Sequence, residues 1–453
     1  MRVVAAVFFY PRGGSAQVVR SLARALPRAG WDVTVVTGSL GAPGERGHAA
    51  TFYAGLDVHS VDYTPAAALA DPLSAPVPFQ PSYEDRPGSP DRIFATVDDA
   101  AYERLVSAWA DALERAGAAQ ADVLHLHHLT PLHEAAVRFF PDVPVVGELH
   151  GTELAFLREL EAGAPPGWEH ADAWRERMRR WAGAAKRLVA SAPDAGEEAE
   201  RLLGIDPARV VTIPNGIDPE RFDRRPLDTA ERLAHWRGRL VEEPRGWDES
   251  GVPGSVRYSE DDLEPFRAGG PVLLYSGRYT AVKRIPLLVR AHARACRRLS
   301  RRAPLVLLGG YPGEWEGEHP LAAVRAAGAR DVFLAGWHEH DELPAALNAA
   351  DLLVLPSVAD AFGLVLVEAM ACGLPVIACD AHGPRTIVED GETGWLVPPD
   401  DEEALAGALV EAVEDPEERR RRGEIAYARS RERYAWPALA EQLAGVYAEA
   451  AGS

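Results

Sequence analysis

The stretch DLLVLPSVADAFGLVLVEAMACGLPVIACDAHGPRTIVEDGETGWLVPPDD, residues 351–401, decides how the rest of the chain is read. Residues 351–356 are a short apolar run closed by Pro356, the pattern of a buried parallel strand. Residues 362–372 place Leu, Val and Met at helical spacing, and Gly373 stops them. Residues 375–379 and 395–397 are two further short apolar runs. The order is strand, loop, helix, strand, loop, strand.

The chemistry lies between the first strand and the helix. Ala361 and Phe362 lead into Gly363 and Leu364, where backbone N–H groups and the positive dipole end favour an anion such as a diphosphate. Asp360 precedes the helix and Glu368 follows eight positions later, a little over two turns, so both can face one side of a cleft. Taken alone, the pair also reads as an N-cap and a solvated helix position.

The full pattern is longer. An acid, a small residue, Phe-Gly, four apolar residues, Glu-Ala-Met-Ala, Cys-Gly, Pro-Val-Ile, Gly-Pro and Glu-Asp-Gly come in that order. This resembles the donor-site signature of the retaining family 4 glycosyltransferases.

Composition sets the bounds. A chain of 453 residues is expected to form two or three domains, and a hydrophobic content of 47% supports substantial cores. The formal charge of −20 argues against nucleic acid and anionic lipid as partners. Cys296, Cys372 and Cys379 have neither metal-type spacing nor the look of a disulfide framework. Met1 runs directly into an apolar strand, and no segment approaches the roughly 18 uninterrupted apolar residues of a membrane span. The expectation is a cytoplasmic protein with no integral membrane contact. Basic residues are nearly all Arg, with Lys only at positions 186 and 283.

At the N-terminus, residues 2–9 read as a buried strand and 16–29 as a helix with Val18, Val19, Leu22 and Leu26 on its apolar face. In the intervening YPRGGS, Gly13 and Gly14 let backbone approach a ligand, and Ser15 can cap the helix; a tight turn would also explain them. The loop lacks the GxGxxG spacing, and the second strand, 32–37, ends in Thr37-Gly38 rather than an acid, so no NAD signal is present. Proline-rich residues 65–98 read as a surface insertion. Residues 122–129 form a strand with His125, His127 and His128 at its end and His133 beyond; no nearby Asp, Glu or Cys completes a ligand set, and no metal is expected. Residues 143–154 hold a strand ending at His150-Gly151, with Thr152 placed to cap the next helix. Ligands gather at the carboxyl ends of such strands, which puts His150 within reach of chemistry.

Asn215-Gly216 reads as a hinge, and polar residues 224–270 as an insertion whose role is not legible. Residues 271–291 carry a strand into Gly277-Arg278 and then Lys283 at a helix start. Arg offers a planar fork to phosphate oxygens and Lys a mobile point charge; solvated surface charge is the plain alternative. Trp337 and His338 follow another strand end.

The resemblance implies an α/β chain of GT-B architecture, two Rossmann-like doubly wound domains facing each other across a cleft. Residues 1–214 would hold the acceptor, residues 215–435 the nucleotide-sugar, and residues 436–453 would pack back on the first domain. Arg278, Lys283 and the amides of 362–364, with Gly277 beside them, would stabilise the diphosphate in place of a metal. Glu368 would bond the ribose, Asp360 a sugar hydroxyl, and Trp337 and His338 would meet the base. His150 would position the sugar, Gly14 and Ser15 would approach the phosphates, and Gly13, His127, His128 and Glu148 would lie on the acceptor side. The donor implied is a UDP-sugar, with a GDP-sugar as alternative, and there is no cofactor. The acceptor implied is a soluble aminocyclitol, thiol or polyol, with a lipid-linked acceptor or a non-catalytic nucleotide-sugar binder as alternatives. The chain departs from the family at Asp360 and Thr386, where most members have Glu.

Overall fold

Five of the six residues of Arg2–Val7 (β1) are buried. A strand apolar on both faces belongs in a parallel sheet covered by helices on both sides. The computed structural model, which describes residues 1–84 and 91–452, places it so. β1 pairs in parallel with Asp32–Ser39 (β2) and Val123–His127 (β4). Asp57–Asp62 (β3), Val145–Leu149 (β5), Arg187–Ala190 (β6) and Val210–Thr212 (β7) complete a sheet of order β3-β2-β1-β4-β5-β6-β7 among the described residues.

A second parallel sheet repeats the plan. It runs through Leu273–Gly277 (β8), Leu305–Gly309 (β9), Val332–Gly336 (β10), Leu352–Leu355 (β11), Val376–Cys379 (β12) and Gly394–Val397 (β13), in the order β10-β9-β8-β11-β12-β13. In each sheet the order reverses beside the first strand, between β1 and β4 and between β8 and β11. Loops leaving two such strands part to opposite faces, and the crevice between them is where open α/β sheets bind ligands.

The chain divides into two compact units, Met1–Gly216 with Trp436–Ser453, and Ile217–Ala435. The last helix, Trp436–Gly452, lays Trp436, Leu439, Leu443 and Tyr447 against Val18, Leu22 and Trp31, so the end of the chain completes the core of the first unit.

The reading of the first insertion changes. The described parts of residues 65–98 are not a surface excursion: Phe79, Tyr83, Phe94 and Val97 are buried, and the Tyr83 hydroxyl donates to Leu129 O at 2.5 Å. Residues 85–90 of that segment lie outside the described residues. Residues 224–270 are likewise part of the second unit. Asp228 caps Thr229–Arg237 with a reciprocal bond from Glu231, fully buried Trp236 and Trp247 anchor the segment, and the Trp247 indole donates to Gly310 O at 3.0 Å. The insertion and β10 meet backbone to backbone. A Cβ on Gly336, whose φ is +73°, would stand 2.0 Å from Arg245 O, so only glycine fits there.

Candidate active site

In the second unit the loops after β8 and β11 are tied together. Val358 N–H donates to Val282 O at 3.0 Å, and the Ser357 hydroxyl donates to the same oxygen at 3.3 Å. That tie brings Lys283 and Asp360 together: the ammonium donates to both carboxylate oxygens, at 2.5 and 2.7 Å. Their side chains are only 13% and 18% exposed. Arg284, the next residue, turns away through a left-handed φ of 53° and pairs with Asp400 at 2.6 Å. Lys283 was expected on a diphosphate and Asp360 on a sugar; the structure pairs them with each other, so a donor reaching either meets a neutralised pair. Arg278 is exposed, and its carbonyl accepts the Tyr275 hydroxyl at 2.7 Å.

The helix Leu364–Ala371 starts at Gly363, φ +94°, with no side-chain cap. Asp360 is therefore not its N-cap; within the first turn Leu366 N–H donates to Gly363 O at 2.8 Å, and the amides before it point out of the helix end. Beneath the turn, Gly383 lies so close to Phe362 that a Cβ there would meet Phe362 Cα at 2.4 Å, and Gly383 N–H donates to Asp360 O at 2.9 Å. Thr386 spends its hydroxyl on Gly383 O at 2.7 Å. Buried Glu368 receives Nε2 of His340 at 2.5 Å, while Nδ1 of that ring accepts from Arg221 at 3.1 Å. With Nδ1 accepting, the proton belongs on Nε2. His340 was missed in the sequence, although it stands two residues beyond His338 in the WHEH run.

His338 was read as a contact for the base. It is buried instead, with Nδ1 2.5 Å from Arg239 of the insertion and Nε2 3.2 Å from Ala335 O. Burial, with Arg239 beside it, pushes its pKa down to about 4. The aromatic surface at this edge is half-buried Trp337 edge-on to exposed Tyr311, with centroids 5.8 Å apart.

In the first unit, Gly13 is the N-cap of Gly14–Ala25, and Ser15 lies inside the helix without capping it. A Cβ on Gly13 or Gly14 would meet nothing within 4 Å, so the protein's own packing does not demand glycine at either position. Thr152 does not cap either: Gly151, φ +89°, occupies that place, and the Thr152 hydroxyl lies 3.2 Å from Glu153 Oε2.

The histidines after β4 have acids that spacing did not reveal. Strand register sets Glu148 of β5 opposite His127 of β4. Glu148 Oε2 lies 3.0 Å from His125 Nε2 and 3.5 Å from His127 Nδ1, and His127 Nδ1 lies 2.9 Å from His150 Nε2. His128 meets Glu153 at 3.2 Å, and Glu153 also accepts the His150 backbone N–H at 2.8 Å. His125, His127 and Glu148 could each give one metal ligand, with those atoms within 4.8 Å of one another. Burial, aided by neighbouring imidazoles, pushes His150 down to about 4 and His133 to about 3, so both are neutral near pH 7. For Glu153 burial opposes ionisation, but His128 prevails and holds it at about 2.

Against known proteins, the family model described as Glycosyltransferase Family 4 matches residues 12–221, and that described as Glycosyl transferases group 1 matches residues 260–429. A D-inositol 3-phosphate glycosyltransferase of Kineococcus radiotolerans is 34% identical over 68% of this chain and 67% of its own length. Another, from Catenulispora acidiphila, is 30% identical over 78% of both. The chain belongs to the family 4 glycosyltransferases.

An alpha-D-kanosaminyltransferase of Streptomyces kanamyceticus is 34% identical over 43% of this glycosyltransferase, which spans about half of that relative, 47%. Among solved structures, sucrose-phosphate synthase from Thermosynechococcus elongatus superposes with a TM-score of 0.69 at 21% identity, covering 99% of this chain and 98% of that one. Anabaena HepE, determined with UDP and glucose, does so at 0.68 and 18%, covering 99% and 100%. At such identities the likeness is one of fold, and the fold is GT-B. No helix among the described residues is long and apolar enough to cross a membrane.

Proposed function

We propose that this glycosyltransferase moves a sugar, with retention of anomeric configuration and without a metal, from a nucleoside-diphosphate sugar to a soluble small-molecule acceptor. The observation that carries the reading is the meeting of Lys283, Asp360 and the Gly363 helix start at the β8–β11 crevice, with Glu368 of the same helix paired to His340. On this reading Lys283, Arg278 and the first-turn amides take the charge that grows on the departing diphosphate, a role worth about two to three orders of magnitude in rate. Glu368, its second oxygen available, accepts a ribose hydroxyl. Asp360 holds a donor-sugar hydroxyl, and the departing diphosphate takes the acceptor's proton as the new glycosidic bond forms. Tyr311 and Trp337 offer an aromatic face for the base.

The acceptor class rests on the relatives named for inositol 3-phosphate, a phosphorylated polyol, while the kanosaminyl of the other relative's name is the sugar moved and bears on the donor. UDP is the first nucleotide to test, since a fold neighbour was determined with it. The protein is expected to act in the cytoplasm. The test is product formation from UDP-glucose and UDP-N-acetylglucosamine with inositol phosphate and aminocyclitol acceptors, before and after treatment with a chelator. The expected product keeps the donor's anomeric configuration by proton NMR and forms without added metal. Inverted product, or activity abolished by the chelator, contradicts the mechanism.

A further inference from the structure

One hydroxyl reaches the buried histidines from the far end of the sequence. Tyr447, on the last helix, is fully buried, and its hydroxyl lies 2.7 Å from Nδ1 of His125. On the other side of that ring Nε2 stands 3.0 Å from Glu148 Oε2, within reach of charge attraction but off the line of a hydrogen bond. A carboxylate only accepts, so in a ring with one proton attraction at that contact requires it on Nε2. Nδ1 then carries the lone pair, and Tyr447 must be the donor. The same carboxylate oxygen lies 3.5 Å from His127 Nδ1, whose neighbour at 2.9 Å is His150 Nε2. One of these two nitrogens donates to the other. Glu148 stands nearer to the His127 nitrogen than to His150 Nε2, which is 3.9 Å from its other oxygen, and so favours the proton on His127. His150 is left with Nε2 accepting and its own proton on Nδ1.

We propose that Tyr447, His125, Glu148 and His127 are positioning residues that fix the tautomer and orientation of His150, making Nδ1–H the group it can offer to substrate. A hydrogen bond on one ring nitrogen sets what the other presents, and outer partners commonly govern a functional histidine in this way. What His150 touches rests on the proposed glycosyl transfer; its tautomer does not. A divalent cation held by His125, His127 and Glu148 would use the same atoms and is the competing occupant.

The test uses the full chain labelled with nitrogen-15 on histidine, with imidazole resonances assigned by single substitutions. The expected spectrum has His150 protonated on Nδ1 and His125 on Nε2. Tyr447→Phe removes only the hydroxyl. It is expected to shift the His125 resonances while Glu148 keeps the proton on Nε2, disturb the His150 pattern and lower kcat roughly tenfold with donor KM nearly unchanged, as a small misplacement of a reacting group does. An unchanged His150 pattern in Tyr447→Phe, or a proton on Nε2 of His150 in the unsubstituted chain, overturns the proposal. Should Tyr447→Phe not fold, Glu148→Gln gives the same readout: the amide can donate to His125, and the His125 proton is expected to move to Nδ1. Zn²⁺ titrated into chelator-treated protein is expected to leave the histidine resonances in place. Saturable one-to-one uptake that shifts His125 and His127 and is lost in Glu148→Gln overturns the proposal in favour of a metal. If the unsubstituted chain transfers no sugar, the proposed function falls while the spectra still decide the tautomer.

Discussion

The two units share a fold and a strand order but build their polar ends differently. At the β8–β11 crevice charge meets charge in Lys283 and Asp360, and His340 donates to the Glu368 carboxylate. Under the ends of β4 and β5, imidazoles pack against two carboxylates, with no Lys or Arg among the contacts described above. The first arrangement suits a highly charged ligand, because ion pairs at a partly open site can be exchanged for phosphate contacts. The second suits holding one ring still, because buried hydrogen-bonding groups are costly to rearrange.

The comparison breaks most readily at Lys283. If the ammonium serves the diphosphate, Lys283→Ala lowers kcat by about two to three orders of magnitude, as loss of a transition-state charge partner does, with the melting temperature nearly intact. Glu368→Ala is expected to raise donor KM more than it lowers kcat, since a ribose contact binds ground and transition states alike. Steady-state kinetics with varied donor separates the two. Near-normal turnover in both variants would mean that the charge pairs are structural.

Next in size is a test of the insertion. Gly336→Ala drives a Cβ into Arg245 O at a positive φ, and a loss on the order of 3 kcal/mol is expected by denaturant unfolding. A small loss would show that residues 224–270 are only loosely seated on β10.

The reach of sequence reading follows the same division. The 351–401 stretch was legible because parallel strands are short apolar runs and its helix ends on glycine. The Lys283–Asp360 pair was not, since 77 positions separate its members and only the adjacency of β8 and β11 joins them. Glu148 was named for the acceptor side, yet its contact with His125 and His127 depends on cross-strand register, which spacing does not encode. Ser15 and Thr152 were misplaced as caps because Gly13 and Gly151 precede them at the turn. His338 followed a strand end as expected, but Arg239 and Arg245, from an insertion with no readable pattern, enclose it.

A pH titration sharpens the comparison on the imidazole side. His133 has both ring nitrogens buried without partners, and its pKa falls from an ordinary 6.5 to about 3. The unfolded chain therefore binds the proton first. Stability is full above pH 6.5 and declines as pH falls from there toward about 3. Between pH 6.5 and 5 this one residue accounts for up to about 2 kcal/mol. His133→Leu should flatten the fall of stability with pH over that window; an unchanged slope would contradict the burial of a neutral ring.

The smallest expected effect is at the aromatic edge. Tyr311→Ala removes one face open to a base and should weaken nucleotide affinity about tenfold, within the roughly 1–3 kcal/mol of base stacking. Unchanged affinity by calorimetry would place the base elsewhere.

The most direct measurement is a thermal-shift series with UDP, GDP, ADP and TDP, and NAD as control, on the unsubstituted chain and on Glu368→Ala. A ligand bound only by the native state raises the melting temperature with its concentration. The expected result is a shift with UDP that Glu368→Ala loses, and none with NAD. No shift with any nucleoside diphosphate, or a shift with NAD alone, would contradict a donor site at the β8–β11 crevice.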